Sequence, residues 1–328
     1  MMEMKILFFG TTKSNSGPSN VNNGIIRNFT ASFWSVNSNN KYNQMIEALL
    51  KALVSNVVVV SGISKQGKIL TKFAKFLKKR VVLIMHGCVA YEAVVNKQEN
   101  CEAMVAQEKY LMEKADLLLP VSRKFRNWIC ERYPQYADKT KYLYNGVDKK
   151  MLEISSTDGE RVRGSVAVTG ADRGVKNNGI VSRAVESMAG KASLTVYGTV
   201  YHEIPTEFEH TTYAGMISHA DYIRRLQETE LFVVNSIFES FSISAIEAVC
   251  CGCSVLISDI VGATDLLTLE ESDIIHDPMN VQELREKIEY LLEHPNHERI
   301  LASLDLDEYS YENSVKRLEQ MCRELIAQ

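Results

Sequence analysis

The chain lacks any long hydrophobic run: its 328 residues contain no window of about 18 consecutive apolar residues, the length that a membrane-spanning helix needs. It also lacks an excess of basic residues, and its formal net charge of -4 gives no reason to expect a nucleic-acid partner. The N-terminus, MMEMKILFFG, places an acid before a short apolar run, which is unlike a signal peptide and indicates a first strand. Together these absences predict a cytoplasmic globular protein.

Paired cysteine motifs are missing as well. The seven cysteines are irregularly spaced, which fits a reducing compartment and free buried thiols. Cys250 and Cys253 have C-x-x-C spacing, but no second pair accompanies them and they end an apolar segment, so core packing is the preferred interpretation. Asp305 and Asp307 form a D-x-D that follows a predicted helix rather than a strand. We therefore expect no metal site.

The length predicts two domains of ordinary size, and strands alternate with helical segments, which is typical of the α/β class. A polar stretch, 149–163, is predicted to link the two domains. Buried strands are predicted in both halves of the chain, at Lys5–Phe9, Val57–Val60, Val81–Met85, Ala115–Pro120, Ser165–Thr169 and Leu231–Val234.

Residues 230–258 organise the functional prediction. Their sequence, ELFVVNSIFESFSISAIEAVCCGCSVLIS, reads as strand, polar turn, apolar helix and second strand, which predicts a parallel crossover. The turn then opens at the carboxyl edge of the sheet, where doubly wound folds bind ligands.

Glu247 is the one charged residue of this apolar helix, and two interpretations stay open. In the first, Ser244 caps the helix and Glu247 completes a capping box three residues later. In the second, the helix begins near Ser242, its free N–H groups face an anion, and Glu247 accepts hydrogen bonds from ligand hydroxyls.

The same stretch resembles the E-x7-E segment of retaining GT-B glycosyltransferases of family 4, with Glu239 and Glu247 as the two acids. In the VLISDIVGATDLL that follows, Asp265 stands near the family's final acid and Val261 replaces its first glycine. The resemblance implies two Rossmann-like doubly wound domains that face each other across a cleft. It places them at 1–149 and 150–308, with helix 309–328 returning to the first domain.

Further motifs resemble the family in both halves. In the first half they are a glycine loop at Gly17, a His-Gly pair at His86 and the Asn-Gly-Val-Asp at 145–148. The second half carries a strand that ends at Gly215 and a Gly-Arg-Leu-x-x-x-Lys-like segment at 170–176. Ala171 stands where that segment usually has arginine, so Arg173 is the nearest replacement.

The resemblance implies a metal-independent retaining transferase that needs no bound cofactor and uses a nucleotide-diphosphate sugar, with UDP preferred to GDP. Lys176 and Arg173 would stabilise the leaving diphosphate, and Glu239 and His86 would contact the sugar. The predicted donor-binding groups are Glu247, Ser240, Phe241, Ser242, Gly17 and Gly215.

The acceptor is expected to be a saccharide, a lipid-linked molecule or a glycoprotein, in bacterial surface-glycan or glycoconjugate synthesis. Residues 65–80, KQGKILTKFAKFLKKR, read as a helix with an apolar face at Ile69, Phe73, Phe76 and Leu77 and many lysines elsewhere. Such a helix is either an ordinary surface helix or a peripheral contact with an anionic membrane.

Two other functions are weighed against sugar transfer. The missing arginine and a short first domain would suit a catalytically inactive GT-B subunit that binds or stabilises a partner transferase. A GT-B epimerase or phosphorylase is less well supported. An epimerase would need acid/base carboxylates at the crevice, and the pyridoxal-lysine motif of phosphorylases with this fold is not recognisable in the chain.

Overall fold

The computed structural model describes residues 4–13, 17–38, 40–148, 161–171, 173–200 and 208–328. The chain divides into two compact units, Met1–Asp148 with Asp307–Gln328, and Lys149–Leu306. Most of the predicted linker, 149–160, lies outside the described residues. In the described part of the chain, no helix has the length and apolar character needed to cross a bilayer.

The first unit is built on a parallel sheet of five strands in the order β2-β1-β3-β4-β5. This is a doubly wound order in which the chain changes direction between β1 and β3. The central strands are buried on both faces, which explains their continuous apolar sequences. The strands are β1 Lys5–Gly10, β2 Ser32–Ser35, β3 Val57–Ser61, β4 Arg80–Met85 and β5 Leu117–Pro120.

In the described part of the first unit, seven helices cover this sheet, and the last of them returns from the C-terminus to pack on α1. That return confirms the arrangement implied for the terminal helix. The helices are α1 Gly17–Asn28, α2 Lys41–Val54, α3 Lys65–Phe76, α4 Val89–Val95, α5 Glu102–Lys114, α6 Arg123–Arg132 and α12 Tyr311–Ala327.

Close packing around Tyr311 explains two glycines of the first unit. A Cβ on Gly24 of α1 would lie 2.2 Å from the Tyr311 ring, and one on Gly146 would lie 2.4 Å from it. A larger residue at Gly24 would require the ring to move, and one at Gly146 would also meet the Tyr311 Cα at 2.5 Å, so the backbone would have to shift. The glycine of the Asn-Gly-Val-Asp motif thus helps to seat the returning helix.

The second unit contains a six-stranded parallel sheet in the order β11-β10-β9-β6-β7-β8. Its strands follow the Rossmann order, and the chain reverses direction between β6 and β9. The strands are β6 Val162–Thr169, β7 Ser193–Tyr197, β8 Thr211–Gly215, β9 Thr229–Val234, β10 Ser254–Ser258 and β11 Ile274–Ile275. The helices are α7 Asn178–Glu186, α8 His219–Gln227, α9 Ile243–Cys250, α10 Val281–Glu293 and α11 His297–Ser303.

Three details of the sequence prediction need correction. The glycine loop predicted around Gly17 ends earlier than expected, because α1 begins at Gly17 and Pro18 suits the first helical turn. The short edge strand β2 was missed, since four residues carry little periodic signal. The buried side of α3 is formed by Gly67, Leu70, Thr71 and Ala74, whereas Ile69 and Phe76 are exposed.

Candidate functional site

The carboxyl edge of the second sheet has a gap where the chain reverses direction. From β6 the chain runs to β7 and β8 on one side and then crosses to β9 on the other. The loops after β6 and β9 therefore separate at this edge and leave a crevice, which is where ligands bind to open α/β sheets. Lys176 and Arg173 belong to the first loop, and Glu239 to Ser242 belong to the second.

The loop after β6 is shaped around the stem of Lys176. Gly170 has φ +92°, and a Cβ there would lie 2.5 Å from Lys176 Cγ, so only glycine leaves room for the lysine. The Asn178 amide donates to the Thr169 and Ala171 carbonyls at 3.0 and 2.8 Å and holds the loop in place. A short 3-10 turn, Gly174–Lys176, then ends at the lysine.

Lys176 and Glu239 form an ion pair across the crevice. Their side chains are only 13% and 16% exposed, so both charges are mostly removed from water. The Ile237 N–H also donates to the Val175 carbonyl at 2.9 Å, which ties the two loops together. The structure thus brings together a lysine and a carboxylate that are 63 residues apart in the chain.

Helix α9 begins at Ile243, with Ser242 as its N-cap in a left-handed conformation at φ +80°. Ser242 makes no side-chain capping bond, and Ser244 lies inside the first turn, where its hydroxyl is 3.1 Å from that of Thr169. The capping-box interpretation is therefore wrong. The N–H groups of the first turn receive no cap from the Ser242 side chain, and such a helix end attracts anions.

Backbone hydrogen bonds from the segment after β10 fix the loop before α9. The Glu239 and Phe241 carbonyls accept hydrogen bonds from the Gly262 and Ala263 N–H groups at 3.1 and 2.6 Å. Ser240, Phe241 and Ser242 are buried. The Phe241 side chain packs in the core, so only its backbone is suited to contact a ligand.

Glu247 lies one turn into α9 and pairs with His219, the first residue of α8, at 2.8 Å between Oε1 and Nε2. This hydrogen bond raises the pKa of His219 above its ordinary value. His219 follows Gly215, which ends β8 at φ +68°. The pair therefore joins α9 to the first residue of α8, a link that sequence reasoning did not predict.

Two polar groups at the end of β9 were also missed. Asn235 Oδ1 and Ser236 Oγ are buried and have no hydrogen-bond partner among the described residues. Such groups are costly unless a ligand or water satisfies them. Their position directly before the Glu239 loop is the signal that would have identified them.

His86 stands at the end of β4 in the first unit, in a neutral polar chain. The Asn22 amide nitrogen donates to Thr11, so its oxygen accepts from the Ser61 hydroxyl at 2.6 Å. The Ser61 hydroxyl then accepts from His86 Nε2–H at 2.8 Å, which selects the Nε2–H tautomer. Loss of hydration lowers the pKa of His86 to about 4, so the imidazole is neutral at physiological pH.

The remaining predicted groups lie apart from these contacts. Gly17 is exposed at the first residue of α1, in the first unit. Arg173 is exposed at the start of the turn that ends at Lys176, and Ala171 is buried at φ +44°. Burial raises the pKa values of the Cys250 and Cys253 thiols to about 12, which supports their packing role. Among the described residues, no cluster of His, Cys, Asp and Glu side chains has the arrangement of a metal site.

Comparison with known sequences recognises the part of the chain that contains Glu239 and Glu247, whereas Lys176 and Arg173 precede it. Residues 207–304 match the family described as glycosyl transferases group 1. A Campylobacter jejuni protein, N,N'-diacetylbacillosaminyl-diphospho-undecaprenol alpha-1,3-N-acetylgalactosaminyltransferase, is 32% identical over 76 residues. That alignment covers 23% of this chain and only 20% of the relative.

Solved structures resemble the chain over its whole length. HepE from Anabaena, crystallised with UDP and glucose, has a TM-score of 0.70 at 14% identity and covers 98% of this chain and 100% of its own. Sucrose-phosphate synthase from Thermosynechococcus elongatus has a TM-score of 0.69 at 14% identity and covers 99% of both chains. These similarities confirm the two-domain GT-B fold.

Proposed function

We propose that the chain is a retaining glycosyltransferase that moves a hexosyl-type sugar from a nucleotide-diphosphate donor without a metal ion. One observation carries this proposal: a largely desolvated Lys176–Glu239 pair lies at the switch point of the second sheet. A cation for a diphosphate and a carboxylate for sugar hydroxyls are thus held together where ligands bind. The match of residues 207–304 to glycosyl transferases group 1 supports the same function.

The diphosphate is assigned to Lys176 and to the amino end of α9. The first-turn N–H groups of α9 and the backbone of Ser240 to Ser242 donate to its oxygens. Lys176 turns from Glu239 towards the phosphates, which releases the Glu239 carboxylate to bind sugar hydroxyls. Arg173, at the start of the Lys176 turn, adds a second positive charge that partly replaces the arginine missing at Ala171.

The ribose is assigned to Glu247, whose carboxylate accepts hydrogen bonds from the two ribose hydroxyls. Glu247 is only 15% exposed, so it is preorganised and already largely desolvated. His219 keeps it in place, and the loop after β8 at Gly215 lies beside the base. UDP is preferred to GDP, in keeping with the UDP present in the HepE crystal structure.

The proposed reaction passes through an oxocarbenium-like sugar, as at other glycosidic centres. The acceptor hydroxyl attacks on the face that the diphosphate leaves, and a phosphate oxygen takes its proton. The carbon–oxygen bond to the diphosphate breaks while the bond to the acceptor forms. Because the acceptor enters on the face that the diphosphate leaves, the configuration of the sugar carbon is retained. Lys176 and the α9 N–H groups stabilise the charge that develops on the departing diphosphate, which is the role a metal plays elsewhere.

His86 and Gly17 belong to the first unit, and their assignment to the donor stays a prediction from the family resemblance. The acceptor class is proposed as a saccharide, a lipid-linked molecule or a glycoprotein in bacterial glycan synthesis. The name of the Campylobacter relative, which includes a diphospho-undecaprenol acceptor, supports the lipid-linked class. Such an acceptor suits a cytoplasmic protein that touches the inner face of the membrane, with 65–80 as the first candidate for that contact.

A specific observation favours an inactive GT-B subunit as the second candidate. Ala171 is 1% exposed and replaces the arginine of the family pattern, so the diphosphate site has lost one fixed cation. Such a protein would still bind UDP and still support a partner transferase. It would not cleave a sugar donor.

Calorimetry and donor cleavage together separate the two candidates. We expect the purified chain to bind UDP more tightly than GDP, and to release UDP slowly from UDP-sugars when no acceptor is present. Binding without release from any UDP-sugar or GDP-sugar would favour the inactive subunit. Failure to bind either nucleotide would reject both candidates.

A further inference from the structure

The outer face of α2 is apolar, which is the reverse of an ordinary surface helix. Tyr42, Ile46, Leu50 and Leu53 recur every three or four residues and form one stripe. Tyr42 is 82% exposed and Leu50 is 61% exposed. The opposite side of the helix is buried through the small residues Ala48 and Ala52, so nothing in the first unit covers the stripe within the described part of the chain.

Helix α3 continues this surface. The connections β2-α2-β3 and β3-α3-β4 both step in the same direction along the sheet, so right-handed crossovers place α2 and α3 on one face. The two helices are in contact. The outer side of α3 alternates Lys65, Ile69, Lys72 and Phe76, and Phe76 is 81% exposed.

The charge of this surface is one-sided. Helix α3 contains no acidic residue, and Glu47, the one acid of α2, is paired with Lys51 at 2.5 Å. Lys41, Lys65 and Lys72 are all exposed. An apolar stripe bordered by exposed lysines matches an interface in which lipid tails and anionic head groups lie close together.

We propose that the outer faces of α2 and α3 form one docking surface for an anionic bilayer. The α2 stripe enters the boundary between head groups and acyl chains, and the α3 lysines pair with lipid phosphates. Phe76 and Tyr42 lie at the ends of the surface as aromatic anchors. The surface is wider than residues 65–80, and α2 supplies most of its apolar contact.

A second copy of the chain fits this surface less well. If two such faces met, the lysines of one would approach the lysines of the other without acids between them. A bilayer brings the opposite charge and accepts a flat apolar stripe without requiring a complementary groove. The inference does not depend on sugar transfer, because docking requires no donor.

Cosedimentation of the full chain with vesicles tests the proposal. We expect binding to phosphatidylcholine vesicles that contain phosphatidylglycerol, little binding to phosphatidylcholine alone, and weaker binding as salt rises. The double variant I46Q/L50Q removes the centre of the apolar stripe without adding charge. The double variant K65E/K72E reverses the charge. Each is expected to weaken binding by at least about tenfold.

A matched control alters exposed apolar residues elsewhere. The double variant M279Q/Y290Q changes two exposed positions of the second unit and should bind vesicles as the native chain does. Circular dichroism melting checks that each variant is folded, and UDP calorimetry reports the second unit independently. Loss of vesicle binding with UDP binding intact would therefore support docking, whatever the outcome for transfer.

Three results would overturn the proposal. One is a native chain that does not cosediment with anionic vesicles. Another is binding of both folded double variants to these vesicles as strongly as the native chain binds. The third is a concentration-dependent dimer of the native chain, seen by light scattering, that is absent in I46Q/L50Q. That result would identify the surface as a contact between copies of the chain.

Discussion

The two units share a doubly wound parallel sheet, yet their switch points differ in chemistry. In the second unit the loops after β6 and β9 carry the Lys176–Glu239 ion pair beside the amino end of α9. In the first unit the loops after β1 and β3 lead to a neutral chain through Asn22, Ser61 and His86. A charged crevice suits a charged donor, whereas a neutral chain suits hydroxyl groups. The same topology therefore presents one charged edge and one neutral edge.

The largest expected effect comes from removing the charge of the second switch point. Lys176→Ala should lower the rate of UDP release from a UDP-sugar by about 10²–10³-fold, because the leaving diphosphate loses the cation that stabilises its developing charge. Donor affinity should fall much less. The measurement is chromatography of released UDP alongside calorimetry. Lys191→Ala, on an exposed lysine of the same unit, is the control, and equal rates for both variants would remove Lys176 from this role.

The second prediction concerns the nucleotide rather than the sugar. Glu247→Gln should weaken UDP binding by about ten- to hundredfold, since hydrogen bonds to a charged acceptor are worth about 1.5–3 kcal/mol each. Calorimetry with UDP measures the change. Glu286→Gln, on the exposed face of α10, should leave affinity unaltered. Native affinity for UDP in the Glu247 variant would show that this carboxylate does not bind the ribose.

The neutral switch point makes the first unit sensitive to acid. The pKa of His86 is about 4 in the folded chain against 6.5 ordinarily, so below pH 6.5 the unfolded chain binds this proton more readily. The contribution is complete above pH 6.5 and is lost as pH falls towards 4. We expect a loss of about 1–2 kcal/mol in the free energy of unfolding, since the ring is partly exposed.

Urea unfolding across that pH range measures this loss. His86→Asn should remove its share of the pH dependence. An unchanged slope in the His86 variant would mean that the ring is better hydrated than the Ser61 contact implies.

The smallest expected effect is on His219. Its pKa is raised by Glu247, so NMR titration should place it above the ordinary histidine value. In Glu247→Gln the pKa of His219 should move back towards that value, because a neutral amide stabilises the imidazolium less than a carboxylate does. A titration curve that is the same in both proteins would show that the pair is open in solution.

Much of the second unit was predictable because its signals are local. Apolar runs bounded by glycine and polar turns marked β9, α9 and β10, and the acid spacing singled out Glu239 and Glu247. Glycine at 170 and lysine at 176 were also visible as a pattern. What the pattern did not contain was the contact between Lys176 and Glu239, since the order of strands, rather than the distance along the chain, brings them together.

The first unit was harder because its informative contacts are long-range. Asn22 accepts a hydrogen bond from Ser61, which is 39 residues away in the chain. Strand β2 has only four residues, too few to show the alternation of apolar and polar residues that predicts a strand. The spacing of the apolar residues of α3 predicted a helix correctly, but it did not predict which face of that helix is buried. Gly67 and Ala74 allow the helix to sit close to the sheet, which leaves Ile69 and Phe76 outside.

From its residues alone the chain determined two α/β halves, the position of the crossover helix and the candidate acids, because short-range periodicity and turn chemistry encode these features. Tertiary structure decided where α9 begins, which partners Lys176, Glu247 and His86 take, and which sides of α2 and α3 face water. Those outcomes depend on packing between segments far apart in the chain, and a one-dimensional pattern carries no information about which of several apolar faces will find a neighbour.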